Sequence, residues 1–322
     1  MLLPAERLVA LIIATFLIVD IGLVAGGGVS VDWSGYAMVV LCGSGVLGVG
    51  LAYRLSGRDE KIALAAISAG LFVLFTIVGS ALNYLVIPAG TERIDPLLIR
   101  LDAVLGYSWP ALVVWVAEFP ALGSLLRWTY LSSLPQFVIV ILVLGMTGRR
   151  DLLHGFLLTG ILAAIVTIAF WLVFPSSGPS AFFPIPAEAV AKLGMVVSPD
   201  YGAELNRLMG EGVTHLSPTD TLGLIAFPSF HTVMALMSIW FMRTIRPLFP
   251  LFVIVNMLML PAILVHGGHH FVDLFGGLAA FAIGHALAQS LLSGATASGK
   301  PDLAGVGEEA RSESGFQSGG IT

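Results

Sequence analysis

The sequence predicts an all-α protein: a polytopic membrane helix bundle with about eight transmembrane helices. Of its 322 residues, 57% are hydrophobic and only 11% are charged, whereas a soluble globular chain carries about 25% charged residues. The mean hydropathy is +0.95. Charges this sparse cannot cover a surface in water, so the solvent around the chain must be lipid. The chain carries no basic stripe of the kind that binds nucleic acid, so no nucleic-acid partner is expected.

Long apolar runs give the predicted number of spans. A helix needs about 20 apolar residues to cross roughly 30 Å of hydrocarbon. The runs lie at residues 8–27, 33–55, 62–87, 121–147, 152–174, 229–245, 248–266 and 269–293. The sixth of these runs is the shortest.

The loops between the runs predict how the bundle sits in the membrane. Ten of the 15 Lys and Arg residues lie on one side and five on the other. Since short cytoplasmic loops carry an excess of these residues, the side with ten is predicted to be cytoplasmic. Both termini then lie in the cytoplasm, and residues 88–120, 175–228 and 266–269 face outward. The last segment, 294–322, is rich in Gly, Ser, Ala and Glu and is predicted to be a disordered cytoplasmic tail.

Two of the outer loops are long enough to form structure of their own. In residues 92–106 the apolar positions recur at helical spacing, which predicts an amphipathic helix in the membrane interface, with Trp109 and Trp115 as aromatic anchors. The other loop, 175–228, contains a predicted helix at about 187–210. Because loops of this length are usually functional or disordered, and this one contains large apolar residues, we expect it to form a packed lid over the outer face.

Two short stretches hold most of the residues that could carry chemistry. Pro228-Ser-Phe-His231 opens the sixth run, and His269-His-Phe-Val-Asp273 opens the eighth. Successive spans are antiparallel, so the start of the sixth run and the end of the seventh lie on the same side of the membrane. His231 and His269 therefore lie at the same end of this helix pair. We expect their imidazoles within roughly 8 Å of each other, since an attacking atom sits about 3 Å from its target.

Each stretch has a catalytic and a structural interpretation. His269 and Asp273 are four residues apart, so on a helix that begins near residue 268 they share one face. The carboxylate would fix one ring nitrogen and make the other a better nucleophile, or it would only stabilise the helix start. His231 could protonate a leaving oxygen. Ser229 could bind an anion at the helix N-terminus or simply cap the helix.

A zinc site is the rival interpretation of the histidines. Its ligands would be His266, His269, His270 and Asp273. Against it, the adjacent His269 and His270 would point about 100° apart on a helix, and the sequence contains no His-Glu-x-x-His motif. We therefore expect neither a metal nor another cofactor. By position alone, His266 and His270 are interfacial polar residues.

The two stretches resemble the second and third signature motifs of the type-2 phosphatidic acid phosphatase (lipid phosphatase) superfamily. Pro-Ser-Phe-His, Gly-Gly-His-His-Phe-Val-Asp and Phe174-Pro-Ser-Ser-Gly-Pro179 are similar to its inositolphosphotransferase-like branch. The region 92–136, with Leu101-Asp102 before Gly106-Tyr-Ser-Trp, is also similar to bacterial members of that branch. The likeness covers about residues 85–277.

The resemblance implies a core of six helices with an outward-facing, metal-independent site. Residues 1–61 are then two extra N-terminal transmembrane helices, residues 62–293 the catalytic membrane domain, and residues 294–322 the tail. The likeness to bacterial members implies an integral protein of the bacterial inner (plasma) membrane. The expected partners are that membrane and a lipid phosphate or phospholipid substrate.

The resemblance also implies roles for individual residues. His269 would attack phosphorus to give a phosphohistidine, Asp273 would orient it, and His231 would protonate the leaving alcohol. Water or another lipid alcohol would then take the phosphoryl group. The expected substrate-binding residues are Ser229, Phe230, Gly178, Pro179, Tyr130, Gln136, Arg127 and His270.

The chain departs from the family pattern where the phosphate is bound. Residues 174–179 carry no cation, although the first motif of the family has a Lys and an Arg-Pro. The Ser-Arg pair of the third motif falls on Ala262 and Ile263. Without these cations, which we call the phosphate clamp, the site suits transfer from a phosphodiester better than hydrolysis of a more highly charged monoester. The alternative function is a non-catalytic lipid-binding or transport protein of the same fold. Cations that could replace the missing clamp are Arg127, Lys192 and Arg207.

Overall fold

The computed structural model describes residues 1–297, with side chains described to residue 294, and is almost entirely helical. In this part of the chain the helices, in order, are α1 (Pro4–Gly27), α2 (Trp33–Leu55), α3 (Glu60–Leu85), α4 (Asp95–Val104), α5 (Trp109–Ala117), α6 (Pro120–Leu131), α7 (Ser133–Met146), α8 (Arg150–Val173), α9 (Ala187–Leu193), α10 (Pro199–Glu211), α11 (Phe230–Met242), α12 (Phe249–His266) and α13 (Phe271–Ala297).

Six of these helices, α1, α2, α3, α8, α12 and α13, are long and apolar enough to cross a membrane. The consecutive helices α6 and α7 together have the length of a further span, and α11 is a shorter apolar helix. The prediction of an all-α polytopic membrane bundle is confirmed. The helix α13 extends to Ala297, beyond the predicted end at residue 293. From residue 298 onward, the predicted tail lies outside the described residues.

The fourth apolar run, predicted as one span over 121–147, is two helices. The axes of α6 and α7 differ by 47°, and the break falls at Ser132. Pro135 explains the break, because it has no N–H to donate to the carbonyl of Leu131 and its ring crowds the preceding turn. The bend turns Tyr130, on the last turn of α6, toward the interior.

The predicted amphipathic helix at 92–106 is α4, but its polar side faces the protein. Asp95 and Asp102 are 0% and 4% exposed, whereas Val104 is 84% exposed. Apolar side chains that point outward suit a helix in contact with lipid. The two acidic residues lie seven apart, and therefore on one face of the helix.

The predicted aromatic anchors differ from each other. Trp115 is half exposed, whereas Trp109 is only 2% exposed. The indole Nε1 of Trp109 donates a hydrogen bond to the carbonyl oxygen of Leu264 at 2.9 Å. Trp109 is therefore a core residue that ties α5 to α12, and the prediction that it is an anchor is wrong.

The loop between α8 and α11, which the sequence predicts to face outward, is folded, as the lid hypothesis requires. It consists of a 3₁₀ turn at Pro179–Ala181, α9 and α10. The single helix predicted at 187–210 is interrupted after Gly194, whose φ of 53° is left-handed. The helix α10 then begins behind Ser198, whose Oγ accepts from the backbone N–H of Tyr201. The backbone N–H of Val197 donates to the carbonyl of His266 at 3.0 Å, which joins this lid to the end of α12.

Two short strands connect the lid to the first helical hairpin. The strand β1 (Ser30–Val31), between α1 and α2, pairs in parallel with β2 (His215–Leu216). The loop after α1 and the lid therefore lie at the same end of the bundle, called here the lid side. At the opposite end, Arg54 forms ion pairs with the buried Glu6 at 2.5 Å and with Glu60 at 2.8 Å. These contacts fix α1 and α2 against α3.

Candidate active site

The two predicted motifs meet on the lid side. His231 lies on the first turn of α11, and His269 lies in the loop just before α13. The centroids of their rings are 6.5 Å apart at an interplanar angle of 67°, within the predicted separation. Both histidines line the same cavity. The backbone N–H of Ser229 donates to the carbonyl of Asp273 at 3.2 Å, which fixes the two motifs to each other.

The side chains of His269 and Asp273 are in direct contact. The Nδ1 atom of His269 lies 2.9 Å from Oδ2 of Asp273, and both side chains are buried. This contact suits a hydrogen bond from Nδ1–H to the carboxylate, which leaves Nε2 on the side of the ring away from Asp273. His269 does not share a helix with Asp273 as predicted, because α13 begins at Phe271. The loop is held instead by the backbone N–H of His270, which donates to the same Oδ2 at 2.9 Å.

His231 is oriented by an aromatic ring. The ring of Tyr130 stacks on it with centroids 4.4 Å apart and planes inclined by 24°. Tyr130 and Phe230 also line the cavity. Ser229 has the structural role that the sequence left open, because its buried Oγ accepts from the backbone N–H of Thr232 at 3.4 Å. Its side chain does not line the cavity.

His270 lies behind the site, between two carboxylates. Its Nδ1 is 2.8 Å from Oδ2 of Asp102, and its Nε2 is 3.6 Å from Oδ1 of Asp95. Burial alone would lower the pKa of His270, but the hydrogen bond to Asp102 and the nearby carboxylates of Asp95 and Asp273 raise that pKa to about 9. His270 is therefore a buried cation at neutral pH.

Asp95 also holds the loop that corresponds to the first motif. Its Oδ1 accepts from the backbone N–H groups of Ser177 at 3.0 Å and Gly178 at 2.7 Å. Gly178 has a φ of 79°, and a Cβ there would lie 2.5 Å from the carbonyl oxygen of Gly268. Only glycine fits at this contact. The first-motif loop is therefore packed directly against the residue before His269, with Pro179 buried at its end.

Four other predicted residues are not brought to the cavity. Gln136 accepts from Nδ2 of the buried Asn256 at 2.7 Å. Nε of Arg127 donates to the carbonyl of Gly194 at 2.9 Å. Lys192 and Arg207 form surface ion pairs with carboxylates of their own helices, at 2.8 and 2.6 Å. The three cations suggested as a phosphate clamp therefore bind elsewhere.

The cavity beside the histidines has a volume of about 600 Å³ and a largely apolar lining. It is enclosed by α3, α7, α8, α11 and the lid. The lining residues of α8 run from Phe156 to Ile168, which at 1.5 Å per residue is about 18 Å along the helix. Within the described residues, no Lys or Arg lines it. The cavity therefore has the shape and polarity for a hydrocarbon chain, with His231 and His269 among its polar groups.

The rival zinc site does not form from the four predicted ligands. His269 and His270 contact different carboxylates, and Nε2 of His266 lies 3.0 Å from the carbonyl of Gly123. Among the residues that the structure describes, no group of three or more His, Cys, Asp or Glu side chains could hold a metal ion.

Comparison with known families agrees with this geometry. The profile of the PAP2 superfamily matches residues 96–287, more than half of the chain. The chain belongs to the PAP2 superfamily. No curated protein and no solved structure matches it. Membership of this family indicates a phosphatase-type function on a lipid phosphate, in keeping with an integral membrane protein.

Some residues that contact the two motifs were assigned no role from the sequence. Asp95, Asp102 and Ser177 contact the motif loops, and the hydroxyl of Tyr107 donates to the carbonyl of His269 at 3.2 Å. The spacing of Asp95 and Asp102 did predict that the two aspartates share one face of a helix, because residues seven apart do so. That signal does not say whether the acidic face meets water or protein. Ser177 and Tyr107 lie in stretches that resemble the family, but nothing in the sequence indicated which residues they contact.

Proposed function

We propose that the protein is a membrane enzyme that transfers a phosphoryl or phosphoalcohol group of a lipid through a phosphohistidine at His269. The observation that carries this proposal is that His231 and His269 line one cavity with their ring centroids 6.5 Å apart. In addition, Asp273 is hydrogen-bonded to Nδ1 of His269. Membership of the PAP2 superfamily supports a lipid phosphate as the substrate class.

In the first step, the lone pair on Nε2 of His269 attacks phosphorus, and the bond from phosphorus to the leaving oxygen breaks. Asp273 accepts the hydrogen bond from Nδ1 and stabilises the positive charge that develops on the ring. The anionic phosphate favours the protonated form of the His231 imidazole beside it. The ring then gives its proton to the leaving oxygen, so that an alcohol departs instead of an alkoxide. Such general acid catalysis contributes about 10²–10⁴ in rate.

In the second step, neutral His231 takes a proton from an incoming hydroxyl group. The oxygen of that group attacks phosphorus, and the nitrogen–phosphorus bond to His269 breaks. Water as the acceptor gives hydrolysis, and a lipid alcohol gives transfer. Both histidines return to their starting protonation states, so the cycle balances without a metal or another cofactor.

The charge around the cavity favours a phosphodiester as the donor. No Lys or Arg lines the cavity among the described residues, and a phosphate monoester carries about −1.5 to −2 charges at neutral pH. A phosphodiester carries a single charge and needs less compensation. The similarity of the motifs to the inositolphosphotransferase-like branch supports the same choice. We further propose that the lid side faces outward, because of the Lys and Arg distribution, and that the membrane is a bacterial inner membrane, because of the likeness to bacterial members of the family.

The test is turnover by the purified full chain. Labelled phosphatidic acid, phosphatidylinositol and isoprenyl pyrophosphate are supplied separately, each with and without a lipid alcohol, and the products are separated by chromatography. We expect release or transfer of the phosphoalcohol group from the diester, and no turnover by a folded His269→Ala variant. A folded wild-type protein that converts none of the three donors would contradict the proposal.

A second function is favoured by one observation, the lack of cations in the lining of the cavity. A protein of this fold that only binds or moves a lipid needs the apolar cavity but neither histidine. Such a protein would retain phospholipid binding in both the wild type and His269→Ala, and would form no acid-labile phosphoenzyme. The turnover experiment therefore separates the two functions.

A further inference from the structure

We infer that the hydroxyl of Ser177 donates a hydrogen bond to a phosphoryl oxygen of the substrate, and that Arg93 supports it from behind. The pair would take the place of the lysine and arginine that the first motif of the family supplies. This inference rests on the proposed function, because it assigns a phosphate contact in the same cavity.

Ser177 is held next to the catalytic histidines. It lines the cavity together with His231 and His269, and it is 4% exposed. Its backbone N–H donates to the carboxylate of Asp95, and its neighbour Gly178 packs against the residue before His269. A side chain fixed in this way loses little further freedom when it binds a ligand.

The hydroxyl of Ser177 has a hydrogen to give. Its Oγ accepts from Nη1 of Arg93 at 3.1 Å. In the described part of the chain, no acceptor takes the hydrogen of this hydroxyl. A hydroxyl that already accepts from a cation is a stronger donor, because hydrogen bonds in a chain polarise one another. The hydrogen is therefore available to an anionic oxygen in the cavity.

Arg93 is held in place by polar and aromatic contacts. Its Nη1 also donates to Oδ1 of Asn206 at 2.5 Å, and its guanidinium lies 4.6 Å from the ring centroid of Phe182. Asn206 in turn donates to the carbonyl of Ala181 at 2.9 Å, which ties α10 to the first-motif loop. Arg93 forms no ion pair with any residue whose side chain is described, unlike Lys192 in the lid.

The other charges near the catalytic loop are already paired. Asp102 and Asp95 flank His270, and Asp273 is bonded to His269. Within the described residues, Arg93 is therefore a cation next to the first-motif loop whose charge no carboxylate neutralises. Because it acts through Ser177 and does not line the cavity, it offers less positive potential than a direct clamp. This arrangement suits a singly charged phosphodiester.

The experiment measures phosphate binding without requiring turnover. Inorganic phosphate and orthovanadate are titrated into the detergent-solubilised full chain by calorimetry. We expect Ser177→Ala and Arg93→Gln to weaken binding about tenfold or more, the effect of losing a hydrogen bond to a charged group. The matched controls are Ser180→Ala, a buried hydroxyl of the same loop that does not line the cavity, and Arg100→Gln, an exposed cation whose Nε bonds its own helix. Both should bind as the wild type does.

A double variant tests whether Arg93 acts through Ser177. Ser177→Ala/Arg93→Gln should bind no more weakly than Ser177→Ala, within about twofold, and Arg93→Lys should recover part of the loss of Arg93→Gln. For a phosphodiester that is turned over, KM should rise while kcat changes little. Fully additive losses would overturn the coupling of the two residues.

Three outcomes bear on the whole inference. A wild-type protein that binds neither anion overturns it, and so do Ser177→Ala and Arg93→Gln proteins that bind as tightly as the controls. Anion binding that depends on Ser177, in a protein that turns over no lipid phosphate, contradicts the proposed function and leaves this inference standing.

Discussion

His270 and Asp102 form a buried charge pair, with Nδ1 and Oδ2 only 2.8 Å apart and exposures of 1% and 4%. The pair joins α4 to the loop that precedes α13. The backbone N–H of His270 donates to Oδ2 of Asp273, the atom that also bonds His269. His270 thus fixes the position of the carboxylate that orients the proposed nucleophile, although its own side chain does not reach the cavity.

This pair predicts a loss of stability at high pH. The pKa of His270 is raised from 6.5 to about 9, so the stabilisation it gives is fully present below pH 6.5 and is lost as the pH rises through about 9. The groups that face it are Asp95 and Asp102 from α4 and Asp273 from α13. We expect the melting temperature of the solubilised protein to fall between pH 7 and 10. An Asp102→Asn variant should be less stable at pH 7 and should show a smaller fall. The same pH dependence in both proteins would contradict the role of the pair.

The His269–Asp273 contact predicts which variants lose the phosphoenzyme. His269→Ala should form no acid-labile phosphoenzyme and turn over no substrate. Asp273→Asn should leave the fold intact and reduce kcat on the order of 10⁴-fold, because an amide does not fix the required tautomer. Rapid quenching with labelled donor measures the intermediate. His215→Ala is the control, since its ring lies on the lid strand and contacts Ser30. A fully active His269→Ala protein would refute the mechanism.

The position of His231 predicts a dependence on the leaving group. His231→Ala should reduce turnover of a lipid with an alkyl leaving group by about 10²–10⁴, because the alkoxide lacks its proton. A donor with an acidic phenol as leaving group should lose much less, since a phenolate departs without protonation. The ratio of kcat for the two donors is the measurement. Equal losses with both donors would remove the general acid role from His231.

The orientation in the membrane is tested by labelling cysteines with an impermeant thiol reagent. In a Cys42→Ser background, cysteine replaces the exposed Asp200 on the lid or the exposed Arg149 at the opposite end. We expect the Asp200→Cys protein to react in intact cells and the Arg149→Cys protein to react only after lysis. The reverse pattern would place the lid side in the cytoplasm.

The helical bundle and the pairing of the motifs were predictable from the sequence. Apolar runs of about 20 residues determine where helices cross a membrane, because backbone groups in lipid must be satisfied within the helix. Alternation of the spans then brings His231 and His269 to one side. Both inferences depend only on the local sequence and on the number of membrane spans between the two motifs.

The surroundings of the two histidines depended on contacts between residues distant in sequence. Arg93 and Ser177 are 84 residues apart, and Asp102 and His270 are 168 apart. A pattern of apolar residues gives the two faces of α4 but not the partner of its acidic face. Likewise, Arg127, Lys192 and Arg207 were equally plausible as clamps until the structure gave each another partner. The apolar runs and the motif spacing were sufficient to predict a membrane-spanning helical bundle and the two motifs. Which charges are paired behind the motifs, and which are left for a ligand, depends on the tertiary structure. Electrostatic pairing acts over a few ångströms, and separation along the chain does not give the distance between two segments in space.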